Sequence, residues 1–247
     1  MDFDSDGVRL HYELHGPDAG APVVLVHGFA SDYRLNWVGT RWQEALTTAG
    51  YRVIGLDCRG HGESDKPHDP AAYALDLMAA DVGRLLDHLH IEQANYIGYS
   101  MGARIGVQAM LDDVALRRVV LGGIGWVGAF HAAEQIARAM RGEPATSAVA
   151  KMFYDFAAAR PSNDLEALAA CILGTQPVVD ASRMASISIP VLVVVGDQDD
   201  IAGDVDRLVA SIPTANVVRL AGRNHMSAVP AREFKQAALE FLAADPD

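Results

Sequence analysis

Short apolar runs recur along the chain, each separated from the next by enough residues for one helix. Pro22 to Val26, Tyr51 to Leu56, Ala94 to Ile97, Val119 to Leu121 and Pro190 to Val195 carry the pattern of strands buried on both faces of a sheet. Val8 to Leu14 instead alternates behind an Asp6-Gly7 turn, which predicts an amphipathic strand, and Asn216 to Leu220 is a weaker final one. Helical segments are predicted between them over Trp42 to Ala49, Met78 to His90, Ala103 to Leu111, Val205 to Ile212 and Ala231 to Ala243. Strands alternating with helices imply an α/β fold, a mostly parallel central sheet with helices on both faces. In such sheets ligand sites gather at the carboxyl ends of the strands.

One section breaks the rhythm. From Ile124 to Ser188 the chain offers three predicted helices, His131 to Arg141, Thr146 to Arg160 and Asp164 to Leu173, and no convincing strand. It is too long for a single crossover. The expectation is a small helical cap, residues 124–187, inserted in an α/β core made of residues 1–123 and 188–247.

The most informative stretch is Gly98-Tyr99-Ser100-Met101-Gly102, a serine between two glycines. A buried strand, Ala94 to Tyr99, runs into it, and a helix follows. Ser100 is therefore placed at a sharp strand-to-helix turn that aims its hydroxyl away from the sheet. The same turn sets the Met101 N–H at a helix N-terminus. Glycines flank the serine because a tight turn leaves no room for a side chain there.

Composition narrows the partners. The 247 residues are half hydrophobic, ample for a packed core, and carry a formal charge of −12. That charge argues against a nucleic-acid partner, which needs a basic face. The acidic N-terminus lacks the basic and apolar regions of a signal peptide, and no apolar run approaches the roughly 20 residues of a membrane span. A soluble, cytoplasmic protein acting on a small molecule is the expectation. The two cysteines, Cys58 and Cys171, lie at no metal-ligand spacing and form no disulfide framework; Cys58 reads as a buried small hydrophobe. Neither a metal nor an organic cofactor is expected.

A serine hydroxyl becomes nucleophilic when a general base takes its proton and a third group orients that base. Of nine histidines, His225 stands in the loop after the last strand, where such a base belongs. His11 and His15 fall in the first strand, His88 and His90 at the end of a surface helix, and His68 and His131 in loop or cap. The acid should follow the preceding strand, and there stand Asp197, Asp199 and Asp200. Spacing does not choose among them, although the loop after Leu121 offers no carboxylate as a rival. The two amides of an oxyanion hole are expected from Met101 and from Phe29, which follows the first buried strand in His27-Gly28-Phe29-Ala30. His27 itself is expected to pin that loop through a side-chain hydrogen bond.

Four segments in this order resemble the α/β-hydrolase superfamily, in its serine-nucleophile, esterase-like branch. They are Val24-Leu25-Val26-His27-Gly28-Phe29, Asp57-Cys58-Arg59-Gly60-His61-Gly62-Glu63-Ser64-Asp65, Gly98-Tyr99-Ser100-Met101-Gly102 and the His225 loop. The resemblance implies a Ser-Asp-His triad. The family's acid commonly stands three positions after a glycine at the strand end, which maps onto Asp199, and its oxyanion amides map onto Phe29 and Met101. It also implies that Arg59 and His61 brace the loops round the site rather than catalyse. The chain departs from the family at Asn224, where many relatives have glycine.

Haloalkane dehalogenases and soluble epoxide hydrolases of this fold use aspartate at the elbow. Ser100 instead implies acyl transfer to water, as in carboxylesterases, lactonases and thioesterases. A C–C bond hydrolase, a lyase-type enzyme of the same fold, and a non-catalytic ligand receptor that retains the triad are the alternatives. Trp126, Phe130, Met152, Phe153 and Phe156 are candidates to line an acyl pocket; packing the cap onto the sheet is the other role open to them.

Overall fold

A turn at Asp6 and Gly7, both at positive φ, folds the first residues into an antiparallel hairpin of β1 (Asp2–Ser5) and β2 (Val8–His15). It is seen in a computed structural model of the chain, which describes residues 1–126, 130–175 and 181–244. The following strands are β3 (Pro22–Val26), β4 (Arg52–Leu56), β5 (Ala94–Tyr99), β6 (Leu116–Gly122), β7 (Val191–Gly196) and β8 (Ala215–Leu220). All eight form one sheet in the order β1-β2-β4-β3-β5-β6-β7-β8. β2 pairs antiparallel with β1 and β4, and every other pairing is parallel. The carboxyl ends of β3, β5, β6 and β7 therefore open on the same edge.

The described helices are α1 (Trp42–Thr48), α2 (Leu75–His88), α3 (Met101–Leu111), α4 (Ala133–Met140), α5 (Ala148–Ala158), α6 (Leu165–Gly174), α7 (Ala181–Met184), α8 (Val205–Ser211), α9 (His225–Ala228) and α10 (Arg232–Ala243). Alternate residues of each central strand feed two cores, one on each face. Val24 and Val26 pack with Met78, Val82 and Leu85 of α2 and Ile105 of α3. Val23 and Leu25 pack with Trp42 and Leu46 of α1 and Phe234 of α10. Burial on both sides explains why these strands read as unbroken apolar runs.

The structure moves several predicted boundaries, each for a local reason. β1 was not foreseen: its burial alternates, Phe3 and Ser5 in, Asp2 and Asp4 out, which an acidic four-residue strand disguises. β6 begins at Leu116, not Val119, because two arginines interrupt its apolar signal. Arg118 is nevertheless buried, with its guanidinium over the Phe241 ring and donating to the Ala244 carbonyl. The helix expected from Met78 starts at Leu75, directly after a 3₁₀ turn over Pro70–Tyr73, and stops at His88, with His90 at positive φ. A π-helical turn over Arg34–Val38 went unpredicted; it buries Asn36 and Trp37. β8 is a half-exposed edge strand, hence its weak pattern.

Between β6 and β7 the described residues form helices α4 to α7. Ser147 caps α5 by accepting the Ala150 N–H, and Asp164 caps α6 by accepting the Ala167 N–H, so both helices start just inside the predicted ranges. The segment is tied to the strand-end loops by an ion pair of Arg160 with Asp32 and by His68 against Asp164 at 2.9 Å. No described helix is long and apolar enough to cross a membrane.

Candidate active site

Ser100 joins β5 to α3 at φ 53° and ψ −108°, a left-handed conformation that non-glycine residues rarely adopt. Close packing enforces it. A Cβ on Gly98 would lie 2.4 Å from the Gly102 carbonyl oxygen, and one on Gly102 would lie 2.1 Å from that of Val26. The first turn of α3 thus rests directly on the ends of β5 and β3. The Ser100 N–H donates to the Gly122 carbonyl at 2.8 Å, fixing the turn to β6 as well.

The structure brings Ser100, His225 and Asp199 together. His225 Nε2 lies 3.0 Å from Ser100 Oγ, and its Nδ1 lies 2.8 Å from Asp199 Oδ2 and 3.1 Å from Oδ1. The Asp199 side chain is fully buried, and its Oδ1 accepts the N–H groups of Ile201 and Ala202, each at 3.0 Å. Geometry separates the three carboxylates of the loop. Asp197 turns away to accept the Gly222 N–H at 2.8 Å, while Asp200 faces a cavity.

Asn224 shows how this chain manages without the family's glycine. Its backbone is extended, and its side chain accepts the N–H groups of Met226 and Ser227, while Ser227 Oγ accepts the Asn224 N–H. That capping box starts α9 at His225 itself. From below, the Tyr99 hydroxyl donates to the His225 carbonyl at 2.5 Å. Burial, with Asp199 nearby, holds the Tyr99 phenol well above its ordinary range and so keeps it a donor.

Among the described residues, the N–H groups of Phe29 and Met101 have no protein acceptor, and both residues line the cavity beside Ser100. Met101 is the first residue of α3, where the helix leaves its donors open. The Phe29 amide is flanked by two that are engaged: Gly28 N–H donates to Asn36 Oδ1 at 3.2 Å, and Ala30 N–H to His61 Nε2 at 3.1 Å. His61 Nδ1 in turn donates to the Arg59 carbonyl at 3.0 Å. His27 spans the neighbouring loops, with Nδ1 donating to the Gly28 carbonyl at 2.8 Å and Nε2 accepting the Cys58 N–H at 3.0 Å. Arg59 forks onto the buried Asp81 at 2.7 and 2.6 Å. The Asp57–Asp65 run is thus a brace.

Two cavities meet at Ser100. The smaller, about 130 Å³, is lined by Asn36, His225, Met226 and Val229 together with Met152 and Phe156. The larger, about 590 Å³, is lined by Met101, Arg104, Trp126, Phe130, Thr175 and the Asp200–Asp204 loop, among others. Phe29 and Phe153 border both. The five aromatic and methionine candidates therefore all reach a cavity wall, divided between the two. Asn36, Tyr99 and Arg104 were missed in the sequence. A signal existed for Arg104, which stands four residues after Ser100 and so on the same face of α3. Among the described residues no three His, Cys, Asp or Glu side chains converge to hold a metal ion.

The comparisons with known proteins agree with this architecture. The family model for the alpha/beta hydrolase fold matches residues 21–145, and the chain belongs to that family. A hydrolase from Pseudomonas aeruginosa PA01 superposes with a TM-score of 0.83 at 26% identity, covering 99% of this chain and 98% of that one. An enol-lactonase from Burkholderia xenovorans LB400 superposes with a TM-score of 0.80 at 24% identity, over 99% and 100% of the two chains, a likeness of fold. Epoxide hydrolase B of Mycobacterium tuberculosis is 38% identical over 102 residues, 40% of this chain and 28% of that protein. The chain spans only 16% to 38% of the length of curated relatives that it matches.

Proposed function

We propose that this protein is a serine hydrolase that cleaves small-molecule carboxylic esters, or the related lactones and thioesters, through an acyl-enzyme on Ser100. The observation that carries this reading is the unbroken relay from Asp199 through His225 to Ser100 Oγ, set beside two amides with no protein acceptor. His225 Nε2 takes the Ser100 proton as Oγ bonds to the carbonyl carbon. The carbonyl oxygen, now an anion, accepts the N–H groups of Phe29 and Met101. Collapse breaks the bond to the leaving group, which takes the proton from His225. Water then gives a proton to His225, attacks the acyl carbon and releases the acid, returning the proton to Ser100. Asp199 holds the ring in its productive tautomer and balances the charge it gains. Elbow aspartate would leave an alkyl-enzyme ester; serine suits acyl transfer.

The helices between β6 and β7 serve in this reading as a cap over the strand ends, setting access to the two cavities. Labelling by a fluorophosphonate, together with turnover of a panel of short esters, thioesters and lactones, tests the proposal. Labelling that persists in Ser100→Ala, or a panel on which the folded protein is inert, rejects it.

A further inference from the structure

The two cavities stand on different sides of the reacting atoms. His225, which must hand its proton to the departing group, lines the small cavity and is absent from the walls of the large one. Met101, one of the two oxyanion donors, lines the large cavity alone. On the serine-hydrolase reading, on which this inference rests, the alcohol portion of the substrate therefore sits in the small cavity. A space of about 130 Å³ limits that alcohol to a few non-hydrogen atoms.

Most polar side chains on that wall already have a task. Ser100 and His225 belong to the relay, the Tyr99 hydroxyl donates to the His225 carbonyl, and Ser31 Oγ lies 3.5 Å from the Asp32 carbonyl. Asn36 differs. It is only 7% exposed, and its Oδ1 accepts the Gly28 N–H at 3.2 Å. That bond fixes which way the amide faces, because only its oxygen can accept, and it leaves Nδ2 as a free donor. Among the described residues Nδ2 has no hydrogen-bond partner. Buried side-chain donors are normally paired, so an open one on a cavity wall marks a place for a ligand oxygen. The amide is close to the chemistry: a Cβ on Gly28 would lie 3.5 Å from Ser100 Cβ and 3.8 Å from Asn36 Oδ1. Its backbone is held too, the Asn36 N–H by the Asp32 carbonyl and the Asn36 carbonyl by the Thr40 hydroxyl. Among the described residues no lysine, arginine, aspartate or glutamate lines this cavity.

We infer that the small cavity is an alcohol subsite in which Asn36 Nδ2 donates to a second oxygen, one that the alcohol carries beyond the ester linkage. A methylene at that point leaves the donor unmet in a buried site, whereas an oxygen meets it, so the cavity discriminates between the two. With no ionised side chain to pair with, the alcohol is neutral. Met152, Phe156, Met226 and Val229 enclose its carbon atoms. The substrates this predicts are esters of small neutral alcohols bearing an ether, carbonyl or further hydroxyl oxygen, such as glycol derivatives.

The probes are 2-methoxyethyl butanoate and butyl butanoate, which match in length and differ by one ether oxygen that can only accept. Both form the same butanoyl-enzyme, so a difference in kcat/KM belongs to the alcohol side. Wild-type protein should favour the methoxyethyl ester by about tenfold beyond the ratio the two show in alkaline hydrolysis. Asn36→Asp, assayed at pH 8, keeps an acceptor for the Gly28 N–H and removes the donor; the ratio should fall to the alkaline value or below. Asn36→Ala, which also strands the Gly28 N–H, should slow both esters and show the same lowered ratio. A wild-type ratio no higher than the alkaline one, or a ratio that neither variant moves, overturns the subsite and leaves Asn36 as a prop for Gly28. Ligand-observed NMR of the two esters with Ser100→Ala and Ser100→Ala/Asn36→Asp reads the subsite without chemistry. A binding preference that Asn36→Asp abolishes, with no turnover by the wild type, would sink the hydrolase reading and spare the subsite. Turnover that Ser100→Ala abolishes, with no preference in binding or rate, would do the reverse, and neither turnover nor preference would reject both.

Discussion

Three histidines are buried at the carboxyl ends of the strands, and the triad loop and the bracing loops use them in opposite ways. In all three, Nδ1 faces an acceptor. Behind His225 that acceptor is the buried carboxylate of Asp199, and its Nε2 faces a hydroxyl whose proton can move. Behind His27 and His61 the acceptors are the carbonyls of Gly28 and Arg59, and Nε2 meets the amide N–H groups of Cys58 and Ala30. An amide proton cannot be given up, and a second ring proton would point straight at it. Burial accordingly lowers the pKa of His27, and takes that of His61 from its ordinary 6.5 to about 3. On the proposed hydrolase reading, it is the two partners, not the ring or its being buried, that would make His225 a base and leave His27 and His61 as braces.

The largest effect that could break this contrast is loss of the triad. Ser100→Ala and Asp199→Asn should each lower kcat by roughly 10⁴ with little change in melting temperature, as expected when a nucleophile or its orienting acid is removed. Asp197→Asn and Asp200→Asn should stay close to wild type. Steady-state kinetics on the best ester of the panel decide it, and a crippled Asp197→Asn would move the acid to that position.

His61→Ala should show the opposite profile, a stability defect first. It strands the Ala30 N–H and the Arg59 carbonyl in a buried site, at a cost of about 1–3 kcal/mol each. Urea titration measures that loss. The same wiring predicts acid lability. Between pH 6.5 and about 3 the unfolded chain binds a proton at His61 that the folded protein refuses. Stability is therefore complete above that range and falls as the pH drops, by up to about 1.4 kcal/mol per pH unit for each such histidine. Urea midpoints that hold steady from pH 7 to pH 4 would contradict the neutral-brace account.

The smallest effects should come from the cavity walls. Trp126 stacks under the Arg207 guanidinium at 3.8 Å, and Phe153 packs edge-on against Phe29 and Phe130. Trp126→Ala and Phe153→Ala should change the ranking of acyl chain lengths more than the rate with an acetate ester. Variants that melt far lower yet keep the parent ranking would make these rings core residues instead.

Much of the fold was legible because the central strands are buried on both faces and so read as unbroken apolar runs. Where burial is one-sided or the chain is short, as in β1, β8 and the Arg34–Val38 turn, the pattern fades into its surroundings. The elbow was legible for a different reason, since only glycines fit at 98 and 102. Asp197, Asp199 and Asp200 could not be ranked by spacing: which carboxylate reaches His225 depends on the turn made after β7. The split into two cavities depends on how α5, α6 and the residues just before α4 come together beside Ser100, and no single segment encodes that. Arg104 sat in plain view four residues past the nucleophile.

The contact between Gly102 and the Val26 carbonyl reaches further than the elbow. Val26 leads within three residues to Phe29, so this main-chain contact ties the Met101 amide to the loop that carries the Phe29 amide, while Asn36 and His61 hold the residues on either side of Phe29. Of the side chains that line the cavities, Asn36 is the one that takes part, through the Gly28 N–H. Apart from Asn36, the walls can therefore be recut by mutation, over evolutionary time or at the bench, while the spacing of these amides is kept. Position 102 allows no such freedom: even Gly102→Ala should pry α3 from β3 and disturb every substrate alike.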